Sequence, residues 1–155
     1  MRRALAPPPG DLGLVSAIYL GSATVSTLLA VYLVECRSYL GTVGLGAGIM
    51  GAALLVSPTI TELGPFEGLQ AVIGAGRGLI YTALMALSIS AVAPAHRATA
   101  MGVYQALSAF GMLAGPIVGG AAADGLGIGC VFYMSGVSVF LAGGVAILAM
   151  RRRKR

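Results

Sequence analysis

The sequence predicts an all-α protein, a polytopic transmembrane bundle of about five helices. The chain is 57% hydrophobic and only 10% charged, with a mean hydropathy of +0.91. So few charges cannot cover the surface of a soluble domain of 155 residues. The apolar residues fall into five stretches of about 20 residues, the length that crosses the hydrocarbon core of a bilayer as a helix. The cations also gather at one set of connections, as expected of a membrane protein.

The first two spans are bounded by proline and by polar residues. The N-terminal tail (1–11) contains Pro7, Pro8 and Pro9, and a helix is not expected there because proline disrupts helical hydrogen bonding. The first predicted span, 12–34, contains no charge. The second predicted span, 39–57, ends at Pro58.

The last three spans complete one predicted transmembrane domain, 12–150. The Gly64-Pro65 pair precedes the third span, Pro94 follows it, and Asp124-Gly125 marks the last loop. A basic tail, 151–155, follows the final span. The predicted boundaries of the third, fourth and fifth spans are 66–93, 99–122 and 130–150.

The loop charges predict the orientation in the cell membrane. With five alternating spans, Arg37, the His96-Arg97 loop and the basic tail share one side, whereas Glu62 and Asp124 lie on the other. Since cytoplasmic loops are enriched in Lys and Arg, the C-terminus is predicted to be cytoplasmic. Two arginines near the N-terminus fall on the opposite side, which conflicts with this enrichment of cations on the cytoplasmic side. This conflict is resolved if the chain is the end of a longer protein.

The fourth span carries a glycine–proline pattern. Gly111, Gly115 and Gly119 recur every fourth residue and therefore form one smooth groove along a helix, which a second helix could enter. Pro116 removes a backbone donor and is expected to bend the helix. The spacing alone also fits a generic packing face. The full pattern comprises Gly102, Gly111, Gly115, Pro116, Gly119 and Gly120.

The loop Ala93–Gly102, together with this glycine–proline pattern, resembles the major facilitator superfamily of transporters, and the helix is similar to that family's antiporter motif. The Asp124–Gly127 loop is also similar. The basic end of the chain resembles the family's C-terminal half, helices eight to twelve. The stretch Leu33–Gly41 departs from the family's signature loop. The resemblance implies small-molecule transport, with efflux in exchange for protons. It also implies that the chain is truncated, or needs an N-terminal half or a second copy as a partner.

Four polar residues are candidates to line a substrate cavity. Arg77 lies inside the third span, where a charge costs about 2.5–3.5 kcal/mol and usually faces a cavity or a carboxylate. Its flanking glycines are expected to let its side chain and a substrate approach the backbone. Alternatively, Arg77 extends to the membrane interface. Tyr81 follows one turn later on the same face, and Tyr104 and Gln105 in the fourth span could bind a substrate or simply bridge two helices.

The sequence contains no nucleophile–base pair, metal-ligand cluster or phosphate-binding loop, so we expect neither enzymatic activity nor a cofactor or metal. The basic residues are not interleaved with aromatics, so no nucleic acid is expected. The predicted partners are membrane lipid and an unidentified small-molecule substrate. The alternative function is a non-transport interaction subunit that packs through the glycine face of the fourth span, and a third candidate is a small oligomeric channel.

Overall fold

A computed structural model describes residues 9–36, 38–90 and 92–153 as helices joined by very short connections. Two single 3₁₀ turns, Ser57–Thr59 and Pro94–His96, lie between helices. Five helices are long and apolar enough to cross a membrane. The predicted all-α architecture of five spans is thereby confirmed. The helices are α1 (Pro9–Cys36), α2 (Tyr39–Val56), α3 (Leu63–Ser90), α4 (Arg97–Leu126) and α5 (Ile128–Arg153).

The start of α1 corrects the predicted N-terminal tail. The helix begins at Pro9, so the expectation that residues 9–11 are not helical is wrong. Proline fits the first helical position because its missing N–H has no partner to lose there and its φ angle already suits a helix. Residues 1–8 lie outside the described residues, as do Arg37, residue 91 and residues 154–155.

Two predicted loops are shorter than the sequence suggested. Gly64 and Pro65 belong to the first turn of α3, where proline again fits. Asp124 and Gly125 continue α4, and the turn to α5 is made at Gly127 alone. The φ angle of Gly127 is +88°, a conformation that favours glycine, and its N–H donates to the carbonyl of Ala123 at 2.9 Å. One glycine therefore reverses the chain.

The third helix lies at the centre of the bundle and packs closely against α1. A side chain at Gly74 would collide with the backbone of Tyr19, and one at Gly78 would collide with that of Ala23. From the first contact to the second, the position advances by four residues along both α3 and α1, so the two helices run parallel. Small residues allow this close approach of helix backbones in lipid.

The second helix joins α3 to α5. On one side, a Cβ atom at Gly76 of α3 would lie 2.8 Å from the carbonyl oxygen of Gly46. On the other side, the residues of α2 and α5 pair in antiparallel order. Such pairs include Gly44 with Ile147, Ala47 with Gly143, Gly51 with Phe140 and Leu55 with Gly136.

The fourth helix lies at the edge of the bundle. No described residue of α4 is buried, and its large apolar side chains are exposed, among them Leu107, Phe110 and Ile117. In a bilayer such a surface faces lipid or further helices. The start of α4 contacts α3 and its later half contacts α5.

Candidate functional site

Arg77 lies at the middle of α3. The helix spans 28 residues, so Arg77 is about 20 Å from either end at 1.5 Å per residue. Its side chain is half-buried, and its guanidinium carbon lies 5.7 Å from the centre of the Tyr19 ring. This distance permits a cation–π interaction. Among the described residues, none forms a salt bridge or a side-chain hydrogen bond with Arg77. Its positive charge therefore lacks an anionic partner within the described bundle.

The glycines beside Arg77 have a different role from the expected one. Gly76 faces Gly46 and Met50 of α2, and Gly78 faces α1. Neighbouring helices occupy the space that the sequence analysis assigned to an approaching substrate, so that expectation is wrong for these two positions. The glycines instead bring α1 and α2 close to α3. This packing brings Tyr19 of α1 within reach of Arg77.

A cavity of about 380 Å³ lies beside Arg77 and receives side chains from all five helices. Most of its wall is aliphatic, and its polar groups are one arginine and three tyrosines. A second cavity of about 290 Å³, between α1, α3 and α4, is also lined by Arg77 and Tyr81. The larger cavity is lined by Tyr19, Val43, Ala47, Met50, Arg77, Ile80, Tyr81, Leu84, Tyr104, Val139, Ala142, Gly143 and Ala146.

Tyr81, Tyr104 and Gln105 form a polar contact between α3 and α4. The hydroxyl of Tyr81 donates to Oε1 of Gln105 at 3.1 Å. The hydroxyl of Tyr104 donates to the backbone carbonyl of Tyr81 at 3.3 Å, and the two rings lie 5.8 Å apart at a tilted angle. These bonds fix the edge of the cavity where α4 meets α3.

The structure brings the four predicted cavity residues together. Arg77, Tyr81 and Tyr104 line the larger cavity, and Gln105 touches it through Tyr81. Sequence reasoning missed Tyr19, because a single tyrosine in an apolar span gives no sign of which helix it will face. The available signal was its polar hydroxyl within the uncharged predicted span 12–34. Whether these residues bind a substrate stays a prediction.

The glycine groove of α4 is open. A Cβ atom at Gly102, Gly111, Gly115 or Gly120 would meet no neighbouring atom within 4 Å, and one at Gly119 would lie 3.7 Å from Val131. Part of the groove faces α5 across a gap of about 390 Å³. The helix is continuous through Pro116. Packing of another helix into this groove stays a prediction.

The predicted basic loop lies at the connection between α3 and α4. His96 ends the 3₁₀ turn, and Arg97 begins α4; both side chains are exposed. Nε of Arg97 donates to the carbonyl of Val92 at 3.4 Å, which ties the loop to the residues that follow α3. Across the described part of the chain, no three His, Cys, Asp or Glu side chains cluster in a way that could hold a metal ion.

Comparison with known proteins identifies the family. A family model described as Major Facilitator Superfamily matches residues 1–155. No curated protein and no solved structure shows significant similarity to the chain. The resemblance to this family is therefore confirmed over the whole sequence, whereas the assignment to helices eight to twelve stays a prediction.

Proposed function

The chain belongs to the major facilitator superfamily, a family of transporters rather than enzymes, and we propose that it exports a small amphipathic molecule in exchange for protons. The glycine–proline pattern of α4, similar to the family's antiporter motif, favours this direction. The cell membrane is the proposed location, in keeping with five spans of membrane length.

The observation that carries the proposal is the cavity beside Arg77. A charged side chain halfway along a membrane-spanning helix is costly unless it faces water, a ligand or an opposite charge. Arg77 faces a cavity lined by all five helices, with tyrosine hydroxyls nearby. Transporters of repeat architecture bind their substrates near the middle of the bilayer, between helices. The cavity combines that depth with polar groups.

The proposed transporter also needs further helices. No described residue of α4 is buried, and its glycine groove is open, so this surface could pack against a second half or a second copy. The described residues that line the cavity include no Asp or Glu. We therefore assign the proton-binding group to the partner half.

The proposed orientation places the C-terminus in the cytoplasm. The start of α4, with exposed His96 and Arg97, lies on the same side of the bundle as the end of α5, because consecutive helices alternate in direction. Exposed Glu62 and Asp124 lie at the opposite side. This separation of charge agrees with the enrichment of cations on the cytoplasmic side.

Flux in membrane vesicles tests the proposal. Inside-out vesicles from cells that express the chain are given a pH gradient, and dissipation of the gradient is followed as amphipathic solutes are added. We expect one solute class to release protons in proportion to the amount of protein, and both Arg77→Ala and Gly115→Leu to abolish the response. A response equal to that of vesicles without the chain, for every solute, would refute proton-coupled export.

The open groove of α4 also favours a second candidate, an interaction subunit without transport activity. In that case Gly115→Leu prevents recovery of a complex, because leucine fills the groove, whereas Arg77→Ala leaves the complex intact. Chemical cross-linking in the membrane, followed by sizing of the products, reports the complex. A complex that depends on Gly115, in vesicles where the chain produces no flux, would favour the interaction subunit over the transporter.

A further inference from the structure

We propose that the cavity beside Arg77 selects an amphipathic organic anion, a small molecule with one carboxylate or sulfonate group on an apolar body. This inference rests on the proposed transport function and names its substrate class. It is drawn from three features of the cavity: its uncompensated charge, the occupied hydroxyls of Tyr81 and Tyr104, and its apolar wall.

The charge of Arg77 is not balanced within the described residues. Its contact there is the ring of Tyr19, and a ring face attracts a cation without neutralising it. The described carboxylates lie near helix ends: Glu35 and Asp124 near the ends of α1 and α4, and Glu62 and Glu67 near the start of α3. Glu67 is about 15 Å along α3 from Arg77. An anionic ligand would supply the missing counter-charge.

The hydroxyls of Tyr81 and Tyr104 are occupied, so the donors that remain among the described lining side chains are Arg77 and the hydroxyl of Tyr19. The hydroxyl hydrogen of Tyr81 is directed to Gln105, and that of Tyr104 is directed to a backbone carbonyl. The guanidinium group offers several N–H donors in a planar arrangement that matches the two oxygens of a carboxylate or sulfonate.

The remaining wall fits an apolar body. The wall includes Ile80 and Leu84 of α3, Val139 and Ala146 of α5, and Met50 of α2. The volume of about 380 Å³ lies at the lower end of the range for drug-sized ligands, about 300–1,000 Å³. A cationic ligand of the same shape would be repelled by Arg77, and the cavity offers it no described carboxylate.

A matched pair of probes tests the proposal. Naphthalene-2-sulfonate and 2-naphthylmethylammonium share one ring system and differ in the sign of the charge. Their binding is measured by equilibrium dialysis against the full chain in nanodiscs of neutral lipid, with empty nanodiscs to subtract partitioning. We expect the wild-type chain to bind the sulfonate at least about tenfold more tightly than the ammonium compound.

Three variants identify Arg77 as the origin of this preference. Arg77→Gln should remove it, and Arg77→Lys should retain a reduced preference, because the charge remains but the planar group is lost. Gly68→Ala on the same helix is the matched control, because its added methyl group meets no neighbouring atom within 4 Å, and it should behave as wild type. If Arg77→Gln does not fold, the wild-type chain and Arg77→Lys still decide the matter.

The outcomes separate this inference from the proposed function. Equal binding of the two probes, tighter binding of the ammonium compound, or an undiminished preference in folded Arg77→Gln would overturn the anion site. Sulfonate binding without any gradient-driven flux would support the anion site and count against transport. Flux of a cation without sulfonate preference would support transport and refute the anion site.

Discussion

The hydroxyl of Tyr81 donates a hydrogen bond to Oε1 of Gln105, and this bond joins the central helix α3 to the peripheral helix α4. The ring of Tyr104 packs beside Tyr81 at the same place. The hydrophobic effect does not drive helix association in lipid, because lipid tails are equally apolar, so close packing and interhelical hydrogen bonds must do so. The polar contact is therefore important for holding α4 against the bundle.

We predict that Tyr81→Phe and Gln105→Leu weaken the bundle through one shared interaction. Interhelical hydrogen bonds in membranes contribute about 0.6 kcal/mol on average and up to about 1.7 kcal/mol. Unfolding of the single and double variants in mixed detergent micelles should give a coupling energy in that range. Strictly additive effects would show that the bond does not stabilise the pair.

Gly78→Ala should destabilise the chain by about 1–3 kcal/mol, the usual cost of overpacking. Its methyl group would collide with the carbonyl of Ala23 and the hydroxyl of Ser26, and the backbone of α1 cannot move aside without losing contacts with α3. Gly68→Ala is the control, with open space around its methyl group; it should be neutral or up to about 1 kcal/mol more stable, since alanine favours helices. Equal effects at the two positions in an unfolding titration would contradict close packing of α1 on α3.

Tyr19 should stabilise Arg77 through its ring rather than through its hydroxyl. Tyr19→Phe keeps the ring face, whereas Tyr19→Leu removes it. The difference in unfolding free energy between these two variants should be about 0.5–2 kcal/mol with Arg77 present. It should shrink when the same comparison is made in an Arg77→Gln background. An unchanged difference would assign the effect of Tyr19 to packing alone.

Cysteine labelling should confirm the orientation. In a chain carrying Cys36→Ser and Cys130→Ala, we expect a membrane-impermeant maleimide to label Glu62→Cys on intact cells. The Arg97→Cys variant should be labelled only after the cells are permeabilised, because it lies at the proposed cytoplasmic side. Labelling of both variants from outside would contradict the alternation of the spans.

The sequence was most informative where one physical requirement dominates. A helix that crosses lipid must be long and apolar, so the five helices could be predicted. The starts of α1 and α3 were predicted too late, because proline was treated as a helix breaker although it fits the first turn of a helix. The length of α4 was underestimated because Asp124-Gly125 has the composition of a turn, whereas Gly127 makes the turn.

The candidate site was predictable only in part. A charge in an apolar span identified Arg77, and helical spacing placed Tyr81 on its face. Contacts between helices depend on which faces meet, and the sequence does not contain that information locally. The glycines of α4 were expected to form a close helix contact, yet within the described residues the close contacts are made by glycines of α2, α3 and α5, among them Gly74, Gly76 and Gly78 of α3. Tyr19 was missed for the same reason.

Water access to the Arg77 cavity is the central requirement of this account. Ile80 lines the cavity, whereas Leu107 of α4 is 69% exposed on the bundle surface. Ile80 lies about 15 Å from the end of α3, and Leu107 lies about 15 Å from the start of α4. These two helix ends are on the same side of the bundle, so the two residues lie at a similar depth. Each is changed to cysteine in the chain lacking its native cysteines, and reaction with a small, charged methanethiosulfonate is measured in membranes. We predict that Ile80→Cys reacts and Leu107→Cys does not; an unreactive Ile80→Cys variant, in folded protein, would contradict a water-accessible cavity beside Arg77.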